Sequence, residues 1–327
     1  MTTYPRITQT AKYLPDKCVT NQDLPSWLET SDEWILSRTG IGQRFIAETE
    51  NTHELCTKVA QKLLKKANLS PLDLDFIIVA TMTGDFGMPS TACLVQGEIK
   101  ATQAMCFDIN SACSGFVYGL SLGEKLIQSG SYQKGLVIGG EVMSKLLDWQ
   151  DRRTSVLFGD GAAGVLLEAV AGKSQFLAEK LGSDGSRGQA LQARPFLINN
   201  PWVKQEERLS PYLTMDGRQV FQFTLNTVTE NISTILKDNH LLPTDLDACL
   251  LHQANLRIVE GISHKTEIPL AKLPVNMERY GNTSAASIPI LLDDCVEQGI
   301  LKLGSEQKVL LTGFGGGLTW GSILLSL

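Results

Sequence analysis

The 327-residue chain lacks several features, and each absence removes a class of function. Its seven cysteines are scattered, odd in number and never paired as CxxC, so neither a disulfide framework nor a zinc site is expected. Most of them should be inert buried thiols. No apolar run reaches membrane-spanning length. The opening MTTYPRITQT has no signal-peptide core, so a reducing cytoplasm is the expected compartment. A net charge of −6 gives no global basis for holding nucleic acid, although a local basic patch for an acidic partner stays open. The run GFGGGLTWG (313–321) lacks GxGxxG spacing, which removes it as a dinucleotide loop.

What is present is a chain that can bury a large core, with strands alternating with helices. Leu55, Val59, Leu63 and Leu64 recur at helical spacing, and DFIIVATMT is a continuous apolar strand of the kind covered on both faces. The second half repeats the first. LKKANLSPLDLD (64–75) matches LKDNHLLPTDLD (236–247), Ser111-Ala-Cys-Ser matches Ser284-Ala-Ala-Ser, and Gln133-Lys-Gly-Leu-Val-Ile-Gly matches Gln307-Lys-Val-Leu-Leu-Thr-Gly. The matches are collinear, which predicts an ancient duplication with halves 1–171 and 172–327 and an irregular insertion at about 182–212. In this register Cys113 corresponds to Ala286, beside Asn282, and His252 follows a strand where the first half has Ala80.

The stretch AMCFDINSACSGFVYGLSLGEKLIQSG (104–130) predicts a buried strand, a tight turn carrying Cys113, and a helix. A thiol at a helix N-terminus meets unpaired N–H groups and the positive end of the dipole, so its thiolate is expected to be favoured. A thiolate can take an acyl group from a thioester. His252 in LLHQAN and Asn282 in RYGNTSAAS can donate hydrogen bonds to the oxyanion formed when a malonyl group loses carbon dioxide. The N–H of Cys113 and a glycine of GFGGGLTWG are candidates for a second oxyanion site. Taken singly, each piece has a plainer reading. A buried cysteine is more often packing, a lone histidine structural, an Asn-Thr-Ser run a helix cap, and a glycine run a turn. Their order within duplicated halves is what joins them.

Eight motifs then carry a resemblance over nearly the whole chain: TSDEWILSRTGI (30–41), MPSTACLVQ (88–96), DINSACSGF (108–116), LFGDGAAGV (157–165), MDGRQVFQF (215–223), LHQANLRI (251–258), RYGNTSAASIPI (279–290) and GFGGGLTWGS (313–322). The sequence resembles the β-ketoacyl-[acyl-carrier-protein] synthase III family. That resemblance implies an α/β, thiolase-like fold whose duplicated βαβαβ-type halves pack as a five-layer α-β-α-β-α core. It implies a homodimer that acylates Cys113 from an acyl-CoA primer and then condenses it with malonyl-acyl-carrier-protein. His252 and Asn282 complete the implied catalytic set, and the N–H groups of Cys113 and Gly316 the oxyanion hole. No metal or other cofactor is implied, since acyl-CoA is a substrate.

By the same resemblance, Thr30, Trp34, Arg38 and Arg152 contact CoA, with Gly217 and Phe221 along the pantetheine tunnel. The adjacent Arg153 leaves open which arginine stacks on adenine. Arg257 and Lys265 match the carrier-protein patch, whereas Gln222 and His264 stand where basic residues are common in the family. Met88 stands where phenylalanine often closes the partner subunit's acyl pocket. Methionine adapts its shape, so a pocket tolerant of longer or branched primers is expected, unless Met88 simply fills the same volume. Tunnel loops are expected within Phe196–Pro211. A same-fold acyltransferase of secondary metabolism would carry the same three residues. A non-catalytic acyl-CoA-binding protein and a cysteine hydrolase are the remaining alternatives. A degradative thiolase would place a second cysteine in the C-terminal glycine motif, and an elongating synthase a second histidine in place of Asn282.

Overall fold

Continuous apolar strands, buried on both faces, build two sheets of one design. In this computed structural model, residues 3–193, 195–198, 200–203 and 210–327 are described. The first half contributes β1 (Thr3–Tyr13), β2 (Lys17–Thr20), α1 (Asp32–Thr39), β3 (Gln43–Ile46), α2 (Thr52–Ala67), β4 (Phe76–Ala80), α3 (Thr91–Ile99), β5 (Met105–Ile109), α4 (Gly115–Gln128), β6 (Lys134–Glu141) and β7 (Gly161–Ala171). The second contributes β8 (Phe176–Ser183), β9 (Leu191–Gln192), β10 (Thr214–Met215), α5 (Gly217–Phe223), α6 (Thr229–Asp238), β11 (Ala248–Leu251), α7 (Leu256–Thr266), α8 (Met277–Tyr280), α9 (Ser287–Glu297), β12 (Lys308–Gly315) and β13 (Thr319–Ser326).

One sheet has the order β1-β7-β6-β4-β5 and the other β8-β13-β12-β11. The central pair is parallel in both, β4 with β6 and β11 with β12, and the following strands are antiparallel. The sheets therefore superpose by topology, β4 on β11, and the second lacks a counterpart to the edge strand β5 among the described residues.

Period-two alternation distributes each strand between two cores. Ile77 and Val79 of β4 pack outward against Leu55, Val59 and Leu63 of α2 and Val95 of α3. Phe76 and Ile78 face inward, in one cluster with Phe116 and Leu120 of α4, Leu291 of α9, and Leu250 and Leu311 of the second sheet. Cys249 and Leu251 of β11 turn the other way, toward Ile232 of α6 and Ile262 of α7. The layers are thus α2/α3, sheet, α4/α9, sheet, α6/α7. Helix ends carry ordinary stop and start chemistry: Asn51 and Glu54 form a capping box on α2, and Asn68 ends it with φ 53°.

The expected irregular insertion carries regular structure among its described residues. β8 continues to Ser183, and β9 pairs antiparallel with β10 across it. Of the expected tunnel loop Phe196–Pro211, positions 199 and 204–209 lie outside the described residues.

Candidate active site

The site grows from two equivalent turns. Ala112–Ser114 precedes α4 and Ser284–Ala286 precedes α9, each as a single 3-10 turn. Each opens on a non-glycine residue with positive φ, Ala112 at 45° and Ser284 at 51°. Such a conformation costs roughly 1–2 kcal/mol and persists where surrounding structure enforces it. The matched conformations pair Ala112 with Ser284, so the counterpart of Cys113 is Ala285 rather than the expected Ala286. Residue identities had aligned Ser-Ala-Cys-Ser with Ser-Ala-Ala-Ser, but the backbone places the left-handed residue first.

Each half's β-strand runs beneath the other half's turn. A Cβ on Gly139 of β6 would stand 2.3 Å from the carbonyl oxygen of Ala285. A Cβ on Gly315 of β12 would stand 2.8 Å from Cys113 Cβ and 2.9 Å from its backbone nitrogen. The glycine run that follows Phe314 is therefore a close-approach device beneath the thiol.

Cys113 is buried, and its Sγ donates to Ser284 Oγ at 3.4 Å. Burial pushes the thiol up to about 12, with the Glu141 charge adding to it; the Ser284 hydrogen bond and its own backbone N–H act in the opposite direction. The expected helix-end thiolate is thus not the resting state. Removing a fully enclosed thiolate from water outweighs the dipole of α4.

His252 follows β11 directly and is anchored by its N–H to Thr312 O at 2.9 Å. Its Nδ1 lies 2.7 Å from Ser287 Oγ, and its ring meets Phe314 edge-on at 5.2 Å. Burial pulls its pKa down to about 3, so the imidazole is neutral. Asn282 forms an isolated bridge to Phe158 and accepts the Ser284 N–H on Oδ1 at 2.9 Å. That fixes the amide and leaves Nδ2 without a hydrogen-bond partner among the described residues.

Cys113, His252, Asn282 and Gly316 line one cavity of about 970 Å³, together with Phe221 and Gly217 on α5. Gly316 sits beside the nucleophile turn: a Cβ there would lie 3.5 Å from Ala112 Cβ. The other expected residues lie outside that lining. Arg38 and Arg152 stand over the Trp34 ring, with Cζ 4.8 Å and 5.4 Å from its centroid. Arg153 instead chelates Asp151 at 2.8–2.9 Å, so Arg152 is the arginine that faces Trp34. The Thr30 hydroxyl is buried and has no hydrogen-bond partner among the described residues. Arg257 and Lys265 are exposed on α7, where they bond Ser37 O and Asn226 Oδ1. Met88 is 87% exposed and does not line its own chain's cavity.

Two residues at the thiol escaped the sequence reading. The sequence marks Ser284 only as the duplicated counterpart of Ser111 or as part of a helix-capping Asn-Thr-Ser run. Glu141 ends the apolar strand GLVIGG, and a single acid closing a buried run was the available signal. It is fully buried, accepting from Thr81 and Thr83 hydroxyls, from the Met82 and Thr83 N–H groups, and from Ser284 Oγ at 3.3 Å.

A duplicated α/β fold with a buried thiol and two neutral donors in one cavity defines the class of thiolase-fold condensing acyltransferases. Comparison with known proteins agrees. The description "3-Oxoacyl-[acyl-carrier-protein (ACP)] synthase III" matches residues 107–185, and its C-terminal counterpart matches 236–327. The β-ketoacyl-[acyl-carrier-protein] synthase III of Enterococcus faecalis is 55% identical over 327 residues, covering 100% of both chains. That of Streptococcus uberis is 53% identical over 325 residues, covering 99% of this chain and 100% of the relative. The crystal structure of 3-oxoacyl-[acyl-carrier-protein] synthase III from Aquifex aeolicus superposes with a TM-score of 0.91 at 41% identity, covering 99% of this chain and 100% of that one. The chain belongs to the β-ketoacyl-[acyl-carrier-protein] synthase III family.

Proposed function

We propose that the chain catalyses decarboxylative condensation of an acyl-CoA primer with malonyl-acyl-carrier-protein, giving 3-oxoacyl-carrier-protein, CoA and carbon dioxide and so starting fatty-acid synthesis. The observation that carries this reading is the convergence of Cys113, from half 1–171, with His252 and Asn282, from half 172–327, on one cavity in a chain of this family. Cys113 takes the acyl group as CoA leaves. Malonyl-carrier-protein then enters. His252, held neutral, and the Asn282 amide donate to the thioester oxygen as carbon dioxide departs. The enolate attacks the acyl-cysteine, and the N–H groups of Cys113 and Gly316 receive the oxyanion.

Trp34, Arg38, Arg152 and Thr30 hold the nucleotide end of CoA. Since Arg152 rests on Trp34, an adenine stacked between them requires Arg152 to swing outward. Phe221 and Gly217 flank the path to Cys113. Arg257 and Lys265 meet the acidic carrier protein with fewer cations than usual, because Gln222 and His264 stand at two positions of the patch. No helix among the described residues is long and apolar enough to cross a membrane, and a cytoplasmic site of action fits the reading. A homodimer also fits: β5 is a sheet edge with Met105 exposed, and Phe86 and Met88 are exposed nearby in sequence.

The test is a primer scan with acetyl-, butyryl- and isobutyryl-CoA, using wild type and Cys113→Ala and measuring carbon dioxide and condensed product separately. Wild type is expected to condense, and Cys113→Ala to lose condensation. A Cys113→Ala chain that still condenses overturns the mechanism. Wild type that acylates Cys113 but ignores malonyl-carrier-protein points to the secondary-metabolism reading.

A further inference from the structure

We propose that Ser284 and Glu141 form the proton-accepting relay that converts the Cys113 thiol into its nucleophilic form. The inference rests on the acyl-transfer reading above and names residues that reading does not use.

The geometry is directional. The Cys113 thiol donates to Ser284 Oγ at 3.4 Å, and that hydroxyl donates to Glu141 Oε1 at 3.3 Å. Each group has the polarity its neighbour needs, and the chain ends on a carboxylate. Among the described residues no hydrogen bond joins His252 to Cys113, whose thiol proton is directed at Ser284 instead. In the transfer, the S–H bond of Cys113 breaks and Ser284 Oγ takes that proton. Ser284 passes its own proton to Glu141 Oε1. The serine is regenerated, the carboxyl becomes neutral, and the sulfur becomes the anion. The thiolate then forms the S–C bond to the thioester carbonyl as the C–S bond to CoA breaks. The CoA thiolate takes up one proton and Glu141 releases one, so the net change is thiol proton to CoA.

The transfer conserves the charge of the site. The enclosed site carries one negative charge before and after the transfer, so no second ion has to be desolvated. Glu141 is one of the groups that hold the thiol protonated, and neutralising it removes that opposition. Burial, the largest influence on Glu141, pushes it up to about 7 despite its hydrogen bonds, toward but still below the thiol at about 12. The relay therefore forms the thiolate transiently, as the thioester is attacked, and not at rest. The titratable groups around it are few. Cys113 faces it across Ser284, and Cys56 of α2 feels its charge, as it does those of Asp108 on β5, Asp85 and Lys145. Thr81 and Thr83 only donate to it.

The test compares wild type with Ser284→Ala, Glu141→Gln and Glu141→Asp. Alanine fits position 284, since the equivalent Ala112 has φ 45° against 51° at Ser284, and the backbone N–H to Asn282 is kept. Two readouts are used: the pH profile of Cys113 alkylation by iodoacetamide, and the single-turnover rate of Cys113 acylation by acetyl-CoA. Loss of the relay should slow acylation by about 10²-fold in Ser284→Ala and in Glu141→Gln. Ser284→Ala removes a bond that favours the thiolate, so it should displace the alkylation profile to higher pH. Glu141→Gln also removes the charge that holds the thiol protonated, so it should instead lose the rise near pH 7 that the carboxylate gives the wild type. Glu141→Asp should recover part of both. Malonyl-carrier-protein decarboxylation, which depends on His252 and Asn282, should change far less. Wild-type alkylation profiles and acylation rates in folded Ser284→Ala overturn the relay. Equal loss of acylation and decarboxylation in both Ser284→Ala and Glu141→Gln, with no shift in the alkylation profile, also overturns it and assigns the pair a structural role. Iodoacetamide needs neither CoA nor carrier protein. A wild type that alkylates with a Glu141-dependent profile yet takes no acyl group would therefore sink the proposed function and leave the relay standing.

Discussion

His252 shows how burial decides a residue's role. An imidazole in water is half charged near pH 6.5, but this one has no acidic partner among the described residues to offset its desolvation, and its pKa falls to about 3. It is therefore a neutral imidazole throughout the physiological range. The same shift makes a stability prediction. Between pH 3 and 6.5 the unfolded chain binds a proton at His252 that the folded chain does not, so this residue's contribution falls as pH falls. Glu141 has the opposite sign. Its pKa is raised from 4.5 to about 7, so stability falls as pH rises across that window. Comparing wild type with His252→Gln removes the Glu141 effect, which is common to both. The stability advantage of wild type over His252→Gln should shrink by about 2 kcal/mol from about pH 7.5 to about pH 5. Chemical denaturation at both pH values checks it; an advantage that does not change would mean His252 is solvated.

At the scale of the element, the informative pairs are the two turns and the two strands that pass beneath them. The strand–turn–helix around Cys113 was legible because β4, β5 and β6 are apolar runs with small residues at the turn. The left-handed φ values of Ala112 and Ser284 were not, because neither residue type announces that conformation. The one-residue slip that paired Cys113 with Ala286 follows from this. So does the missed Ser284: only the fold brings its hydroxyl against the thiol. The glycines of β12 were legible as flexible but not as close contacts. A methyl on Gly315 has no space beside Cys113, whereas one on Gly97, exposed on α3, meets nothing within 4 Å. Gly315→Ala should lower the melting temperature and abolish acylation. Gly97→Ala should raise stability by roughly 0.5–1 kcal/mol, the helix-propensity difference. Thermal melts of the two variants decide it, and equal effects would contradict the close-approach account.

At the scale of the whole molecule, the halves are bound by more than the shared α4/α9 layer. Lys12 of β1 reaches Asp293 and Asp294 at 3.0 Å and also pairs with Glu297, tying the first strand to α9. In the proposed homodimer the β5 edge and the exposed Met88 loop are the surface through which two chains would meet. Met88 does not line its own chain's cavity, although Phe86 and Gly87 beside it do, and in the proposed homodimer its effect on primer choice would act across the interface. That can be tested by separating the two residues between chains. A Met88→Phe homodimer is expected to use isobutyryl-CoA less well, relative to acetyl-CoA, than wild type does. In a mixed dimer of Met88→Phe with Cys113→Ala, the only working thiol belongs to the Met88→Phe chain, while the partner presents methionine. If Met88 closes the neighbouring pocket, the mixed dimer should recover the wild-type ratio of isobutyryl to acetyl rates. A mixed dimer that keeps the narrowed ratio of the Met88→Phe homodimer would place the effect within one chain. Identical ratios in every combination would mean that methionine and phenylalanine fill the pocket equally.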